Sequence, residues 1–291
     1  MIWLIGNSGL LGQEIELMLK LGGFQYIGTG HKVDITDIAA IQKFSENKNF
    51  NWIINCAAYT AVDNAENDSA NAFLLNHHAV ANLVQIAKEK NAKIVHFSTD
   101  YVFDGKKSDY YTENDLPNPL NIYGKSKYAG EQALTEWGKV FIIRISWLFG
   151  HNKNNFVKTM LNLFNTREQI KVVNDQFGLP TYTKDLAELV KLLLQNDSAK
   201  YGLYHYCNSG EKISWFDFAS EIYRQAKVLE LTAKNVEIIP ISTAEYKQTA
   251  LRPHNSCLSA NKIMQELKIS VPSWQNALER CLLFEKETMQ Q

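Results

Sequence analysis

A tyrosine and a lysine lie four residues apart in "YGKSK" (123–127), just after a proline-containing loop, "LPNP" (116–119). On a helix, residues i and i+4 share a face, so Tyr123 and Lys127 would point the same way. A phenol has a pKa of about 10 and is a poor acid at neutral pH. A neighbouring ammonium favours the phenolate, which turns the phenol into a usable proton donor for a carbonyl oxygen. On an arbitrary helix this would be an ordinary surface pair. Two other stretches tip the balance. "FSTDYVFDG" (97–105) closes an apolar run, and Thr99 there could hydrogen-bond the same oxygen. "GNSGLLG" (6–12) follows the first apolar run, with Gly6, Gly9 and Gly12 in G-x-x-G-x-x-G spacing. Strand, glycine turn, helix is the context of a dinucleotide-binding loop. A helix N-terminus then offers free N–H groups and a partial positive charge to a pyrophosphate. The candidate cofactor contacts are therefore Gly6, Asn7, Ser8, Gly9, Leu10, Leu11 and Gly12, with Tyr123 and Lys127 at the reactive end.

These residues need a scaffold. "MIWLIG", "FQYIGTG", "NWIINCAA", "KIVHFST" and "VFIIRISWLFG" read as strands. Between them lie helical patterns: "LLGQEIELMLKLGG", "DIAAIQKFSEN" (capped near Thr36), a long stretch from Ala65 to Asn91, and "YGKSKYAGEQALTEW". That alternation implies an α/β fold, a doubly wound parallel sheet with helices on both faces. Ligands then bind beyond the carboxyl ends of the strands, which places Ser98, Thr99 and Asp100 beside the cofactor. The expected division is a dinucleotide-binding domain over 1–150, to which later segments could return, and a smaller, mainly substrate-binding α+β domain over 151–291. In the second half, "NDQFGLPTY" (174–182) reads as a loop, and helices are expected at "NFVKTMLNLFNTR", "TKDLAELVKLLLQ", "SWFDFASEIYRQAKVL" and "SWQNALERCLLF".

Composition narrows the function classes. The 291 residues carry a formal net charge of −1, which argues against a nucleic-acid protein held by phosphate contacts. The four cysteines have no CxxC spacing and are too few for a disulfide scaffold, so a reduced, cytoplasmic setting is expected. No run approaches the roughly 20 apolar residues of a membrane span; the most apolar one contains Arg144. The N-terminus shows no basic leader. His77 and His78 are adjacent and should diverge on a helix, unlike a zinc-binding i,i+4 pair, and no GxSxG elbow is present.

With these residues in place the chain resembles an extended short-chain dehydrogenase/reductase, and is most similar to the dTDP-4-dehydrorhamnose reductase family. The motifs are "GNSGLLG", "NCAAYTAVDNAE" (55–66), "STDYVFDG" (98–105), "YGKSK", "RISWLFG" (144–150), "NDQFGLPTY" and "RPHNSCL" (252–258). The resemblance implies a Rossmann-like sheet and catalytic roles for Thr99, Tyr123 and Lys127. It implies cofactor contacts at Ala57, Ala58 and Tyr59 and sugar contacts at Val62 and Trp147. Asp100 and Tyr101 follow the catalytic threonine and are placed with the substrate. Asp175, Gln176 and Arg252 match segments near the nucleotide-sugar, where a guanidinium suits a diphosphate. Cys56 stands where alanine is commoner. The activity implied is NADPH- or NADH-dependent reduction of the C4 keto group of dTDP-4-dehydro-L-rhamnose to dTDP-L-rhamnose, with a nucleotide-sugar as partner.

Cofactor choice leans to NADPH. His31 and Lys32 stand where NAD enzymes present an acid to the ribose, while the acid, Asp34, comes later beside Ile35. Some family members bind magnesium at a dimer interface. Glu14 matches one such position, but no full ligand set is placed, so no metal is assigned and a homodimer stays open. Two alternatives stand beside the main reading. One is a reductase or epimerase of another nucleotide-sugar. The other is a non-catalytic, NADP-binding regulatory subunit of methionine adenosyltransferase. A 4,6-dehydratase is disfavoured, because Tyr101 follows Thr99-Asp100 where those enzymes carry glutamate.

Overall fold

A computed structural model describes residues 1–289. The first half runs β1 (Ile2–Ile5), α1 (Leu10–Leu21), β2 (Tyr26–Thr29), α2 (Ile38–Ser45), β3 (Trp52–Asn55), α3 (Val62–Ala65), α4 (Ser69–Phe73), α5 (Ala79–Lys90), β4 (Lys93–Thr99), α6 (Ile122–Thr135) and β5 (Val140–Ile145). It continues through β6 (Leu148–Phe149), α7 (Phe156–Thr166), β7 (Gln169–Val173), β8 (Phe177–Gly178), β9 (Thr181–Tyr182), α8 (Thr183–Gln195) and β10 (Gly202–Tyr206). The last elements are β11 (Ile213–Ser214), α9 (Trp215–Val228), β12 (Glu237–Ile241), α10 (Asn261–Leu267) and α11 (Trp274–Met289).

Six strands pair in the order β10-β5-β4-β3-β1-β2, all parallel. β1 and β3 are buried at every position, as a sheet covered on both faces requires. One face packs Leu11, Ile15 and Leu19 of α1 with Leu186, Val190 and Leu193 of α8. The other packs Ile41 of α2, Leu83 and Ile86 of α5, and Leu134 of α6. A third core lies outside the sheet, built from α7, α9 and α11 around Phe149, Phe164, Phe218 and Leu278. Strand β10 and helix α8 come from the second half of the chain yet complete the sheet and its cover. The winding order, not the strand direction, reverses at β1: β2 lies on one side of it and β3 on the other, which opens a crevice at their carboxyl ends.

Several local expectations change. The fifth strand is broken at Ser146–Trp147: Trp147 adopts φ 48°, and β6 leaves the sheet to pair with β9. "NDQFGLPTY" is not all loop, since it contributes β8 and β9. Helix α2 is capped by Asp37, whose carboxylate accepts from the Ala39 N–H, rather than by Thr36. Between α4 and α5 the helix widens into a π turn, Leu74–His78. There the His77 and His78 rings lie 4.7 Å apart instead of diverging. β12 and α10 had no counterpart in the sequence pattern. β12 carries Pro240 and pairs only with β7, as an edge strand can.

Candidate active site

The glycine loop is shaped by contacts that no side chain would allow. Gly6 turns with φ +74°, and a Cβ there would sit 2.7 Å from the Ala57 nitrogen. A Cβ on Gly12 would lie 2.1 Å from the Gly6 carbonyl oxygen. Helix α1 begins at Gly9 with no side-chain cap and no acid in its first turn. Its first N–H groups are left for an anion. In front of them runs a crevice in two joined parts. One, of about 420 Å³, is lined by Gly6, Ser8, Gly9, His31, Asp34, Ile35, Ala57 and Ala58. The other, of about 410 Å³, shares Gly9, Ala57 and Ala58 and continues past Leu10, Leu11, Thr99, Asp100, Tyr123, Lys127 and Trp147. An extended dinucleotide fits this shape and this donor set.

Helix α6 delivers the reactive pair. Asn121 caps it through the Gly124 N–H at 2.7 Å, so Tyr123 falls in the first turn. Gly124 has no room for a Cβ, which would meet the Tyr101 carbonyl oxygen at 2.2 Å. The helix start therefore presses against the end of β4, and Thr99, Asp100, Tyr123 and Lys127 line one wall. Lys125 points to solvent and Tyr128 packs on the third core.

The electrostatics of the free protein differ from the simple i,i+4 picture. Burial pushes the Tyr123 phenol up to about 12; the Thr99 hydroxyl pulls it back, and the Asp100 carboxylate pushes it further up. Lys127 is not among the groups that shift the phenol; its Nζ donates to the Phe97 carbonyl at 2.6 Å. Lys127 itself is lowered to about 8 by burial, with Glu131 pulling it back. Burial also raises Asp100, to about 7, with the nearby Ser256 and Thr99 hydroxyls pulling it back. Among the described residues its buried Oδ2 has no hydrogen-bond partner, although Oδ1 accepts from Thr99 at 2.9 Å.

Apart from Trp147, the remaining candidates stand outside the crevice lining. Asn7 donates to Glu16 at 2.9 Å, behind the loop. The Tyr59 hydroxyl donates to Asp68 and its N–H to Asn76, while Val62 opens helix α3. Arg252, expected to be free for a diphosphate, is held by Asp63 in a two-pronged pair, with Nη2 2.5 Å from Oδ2. Its positive charge acts against the rise that burial imposes on the Tyr101 phenol, and the Tyr101 ring meets Tyr123 edge-on at 5.9 Å. Asp175 accepts from the Thr243 N–H and hydroxyl, and Gln176 donates to the same hydroxyl. Trp147 does line the crevice, stacked on Trp215 at 3.6 Å. Glu14 pairs with His151 at 3.2 Å, and no cluster of three or more metal-ligating side chains occurs among the described residues.

Sequence reasoning missed what lies behind the wall. Arg144 is buried on β5 and grips Glu131 of α6 with two hydrogen bonds, at 2.9 and 2.6 Å. Ser98 also donates to Glu131. Asn76, in the π turn, bonds Tyr59 and Ser126 and so ties the third-strand loop to α6. The one signal was Arg144 inside an apolar run, since a buried charge needs a partner.

Comparison with known proteins agrees with this geometry. The RmlD substrate binding domain family model matches residues 1–286. A dTDP-4-dehydrorhamnose reductase of Aggregatibacter actinomycetemcomitans is 41% identical, over 94% of this chain and 95% of that protein. One of Escherichia coli K12 is 35% identical, over 97% and 96%. The crystal structure of a dTDP-4-dehydrorhamnose reductase from Bacillus anthracis, in complex with NADP, superposes with a TM-score of 0.91 at 38% identity, covering 97% of this chain and 98% of that one. Among the described residues no helix is long and apolar enough to cross a membrane. Full-length family coverage, the parallel sheet and the glycine crevice converge on one conclusion: this chain belongs to the dTDP-4-dehydrorhamnose reductase family.

Proposed function

We propose that the protein reduces the C4 keto group of dTDP-4-dehydro-L-rhamnose, with NADPH as the reductant, to give dTDP-L-rhamnose. The observation that carries this reading is the meeting of Thr99, Tyr123 and Lys127 on one wall of a crevice that begins at an uncapped helix N-terminus. The glycine loop Gly6–Gly12 would hold the pyrophosphate, and Ala57 and Ala58 would pack along the dinucleotide. His31, which lines the crevice, and its neighbour Lys32 would favour a 2′-phosphate. Bound NADPH supplies the two-electron reductant.

The chain's own residues manage the proton. Tyr123 hands its phenolic proton to the C4 oxygen. Thr99 hydrogen-bonds that oxygen and steadies the phenol. Lys127 would hold the nicotinamide ribose, and its charge would ease loss of the phenolic proton. Asp100, with one oxygen unpartnered among the described residues, would hydrogen-bond a sugar hydroxyl. Trp147, Tyr101 and Val62 would shape the sugar end, and Asp175, Gln176 and Arg252 the nucleotide end.

The test is a spectrophotometric assay of NADPH oxidation with the keto sugar. Oxidation that depends on the sugar supports the reading. NADPH binding without turnover of this or any related keto sugar would overturn it in favour of a non-catalytic, cofactor-binding role.

A further inference from the structure

A buried chain of side chains runs from the strand ends to Lys127. It is Asn55 at the end of β3, His96 in β4, and Lys127 in α6. These are 1%, 1% and 2% exposed, so water does not substitute for their hydrogen bonds. The first link fixes the orientation of an amide. The Ala57 N–H donates to Asn55 Oδ1 at 3.0 Å, so the carboxamide must present its NH₂ on the other side. That NH₂ lies 3.1 Å from His96 Nδ1, which therefore accepts. A neutral imidazole that accepts at Nδ1 carries its proton on Nε2.

Nε2 lies 3.5 Å from Lys127 Nζ. The consequence is a conflict of donors. An ammonium on Lys127 has only N–H groups to offer, and so does Nε2. A neutral amine on Lys127 has a lone pair, which Nε2–H can reach. The Phe97 carbonyl, 2.6 Å away, accepts a hydrogen bond from Nζ in either state. We propose that His96, fixed by Asn55 with its ring proton on Nε2, is a positioning residue for Lys127: it opposes the ammonium and hydrogen-bonds the amine, so that the lysine can exchange its proton in the working pH range.

The other groups facing Nζ act in both directions. Glu131, one turn along α6, favours the ammonium, but Arg144 of β5 and Ser98 of β4 already share its carboxylate. Cys56, after β3, also faces Nζ, but burial raises its thiol and keeps it neutral, so it brings no charge to the ammonium. Tyr123 stands one turn before Lys127 on the same helix. Burial and the charge of Lys127 together hold His96 neutral, as the tautomer assignment requires.

A lysine that loses its proton readily can restore the proton Tyr123 has given away. A nitrogen–hydrogen bond breaks at Lys127, an oxygen–hydrogen bond forms at Tyr123, and solvent returns a proton to the amine. This role rests on the proposed reductase reading. The ionisation itself does not, and it can be measured without substrate.

Two NMR measurements on the purified full chain test it. The first uses ¹⁵N-histidine in the unmodified protein and reads the His96 tautomer directly. A protonated Nε2 with a bare Nδ1 is expected; the reverse tautomer would overturn the proposal. The second uses ¹³C-lysine, with the Lys127 signal assigned through Lys127→Arg, and follows its titration. The midpoint should lie well below the ordinary lysine value of about 10.4. His96→Gln offers an amide oxygen to the ammonium and should raise the midpoint by about one pH unit, roughly tenfold in the amine-to-ammonium ratio at fixed pH. An unmoved midpoint in folded His96→Gln would sink the idea, and so would an ordinary midpoint in the parent. Absent turnover with intact titrations would instead strike the reductase assignment alone.

Discussion

The two ends of the crevice are built in different ways. The cofactor end is made of backbone: Gly6 and Gly12 fit because a Cβ would collide, and the helix α1 N–H groups stand uncapped. The nucleotide-sugar end is made of side chains that bond one another. Arg252 grips Asp63, and Asp175 and Gln176 hold Thr243. A backbone cradle is ready before any ligand arrives. A side-chain latch must exchange partners, so the second end should tolerate change in fold stability but not in substrate recognition. Between the two stands the reactive wall, supported from behind by the buried Arg144–Glu131 pair.

The largest effect is expected at the wall itself. Tyr123→Phe should lower kcat about 10²- to 10⁴-fold, while fluorescence titration finds NADPH affinity nearly unchanged. Unimpaired turnover would remove the phenol from the chemistry and dissolve the contrast. Next comes the support. Arg144→Met leaves Glu131 buried without its partner and should cost about 3–5 kcal/mol in urea unfolding. A loss below about 1 kcal/mol would mean that the wall does not depend on the pair.

At the cofactor end, Gly12→Ala should cost about 1–3 kcal/mol through overpacking against the Gly6 carbonyl, and it should weaken NADPH binding in the same titration. Asp100 gives a pH signature. Its folded-state pKa, about 7, lies above the ordinary aspartate value of 3.8, so the folded state holds the extra proton between them. Stability should therefore fall as pH rises through that window, by at most about 1.4 kcal/mol per pH unit for one group. Asp100→Asn should flatten that slope in melts taken from pH 5 to pH 8. The smallest stability effect belongs to the latch. Arg252→Ala should change stability by about 1 kcal/mol or less, since Asp63 is half exposed. The same variant should raise KM for the nucleotide-sugar roughly tenfold by removing a charged hydrogen-bond donor. A larger loss of stability with unchanged KM would reverse the assignment of the two ends.

What the sequence showed follows the same divide. The glycine loop, the Tyr123–Lys127 spacing and the strand–helix alternation are local patterns, and each came out where the periodicity placed it. The latch was not legible, because its partners lie far apart in the chain: 189 residues separate Asp63 from Arg252, and 68 separate Asp175 from Thr243. Arg252 was matched to a diphosphate, and no local pattern links it to Asp63. The break at Trp147 was hidden for another reason. An apolar run reads as one strand even where φ turns positive, a conformation uncommon for a bulky residue. Buried His96 and Asn55 sat within apolar strand patterns and carried no signal until the sheet set them side by side.

Isotope transfer tests the proposed reaction most directly. The protein is incubated with dTDP-4-dehydro-L-rhamnose and NADPH deuterated at the transferable position, and the sugar is analysed by mass spectrometry. A single deuterium at C4 of dTDP-L-rhamnose, formed by the parent protein and nearly lost in Tyr123→Phe, is the predicted result. A sugar recovered without deuterium, from a protein that binds NADPH normally, would contradict it.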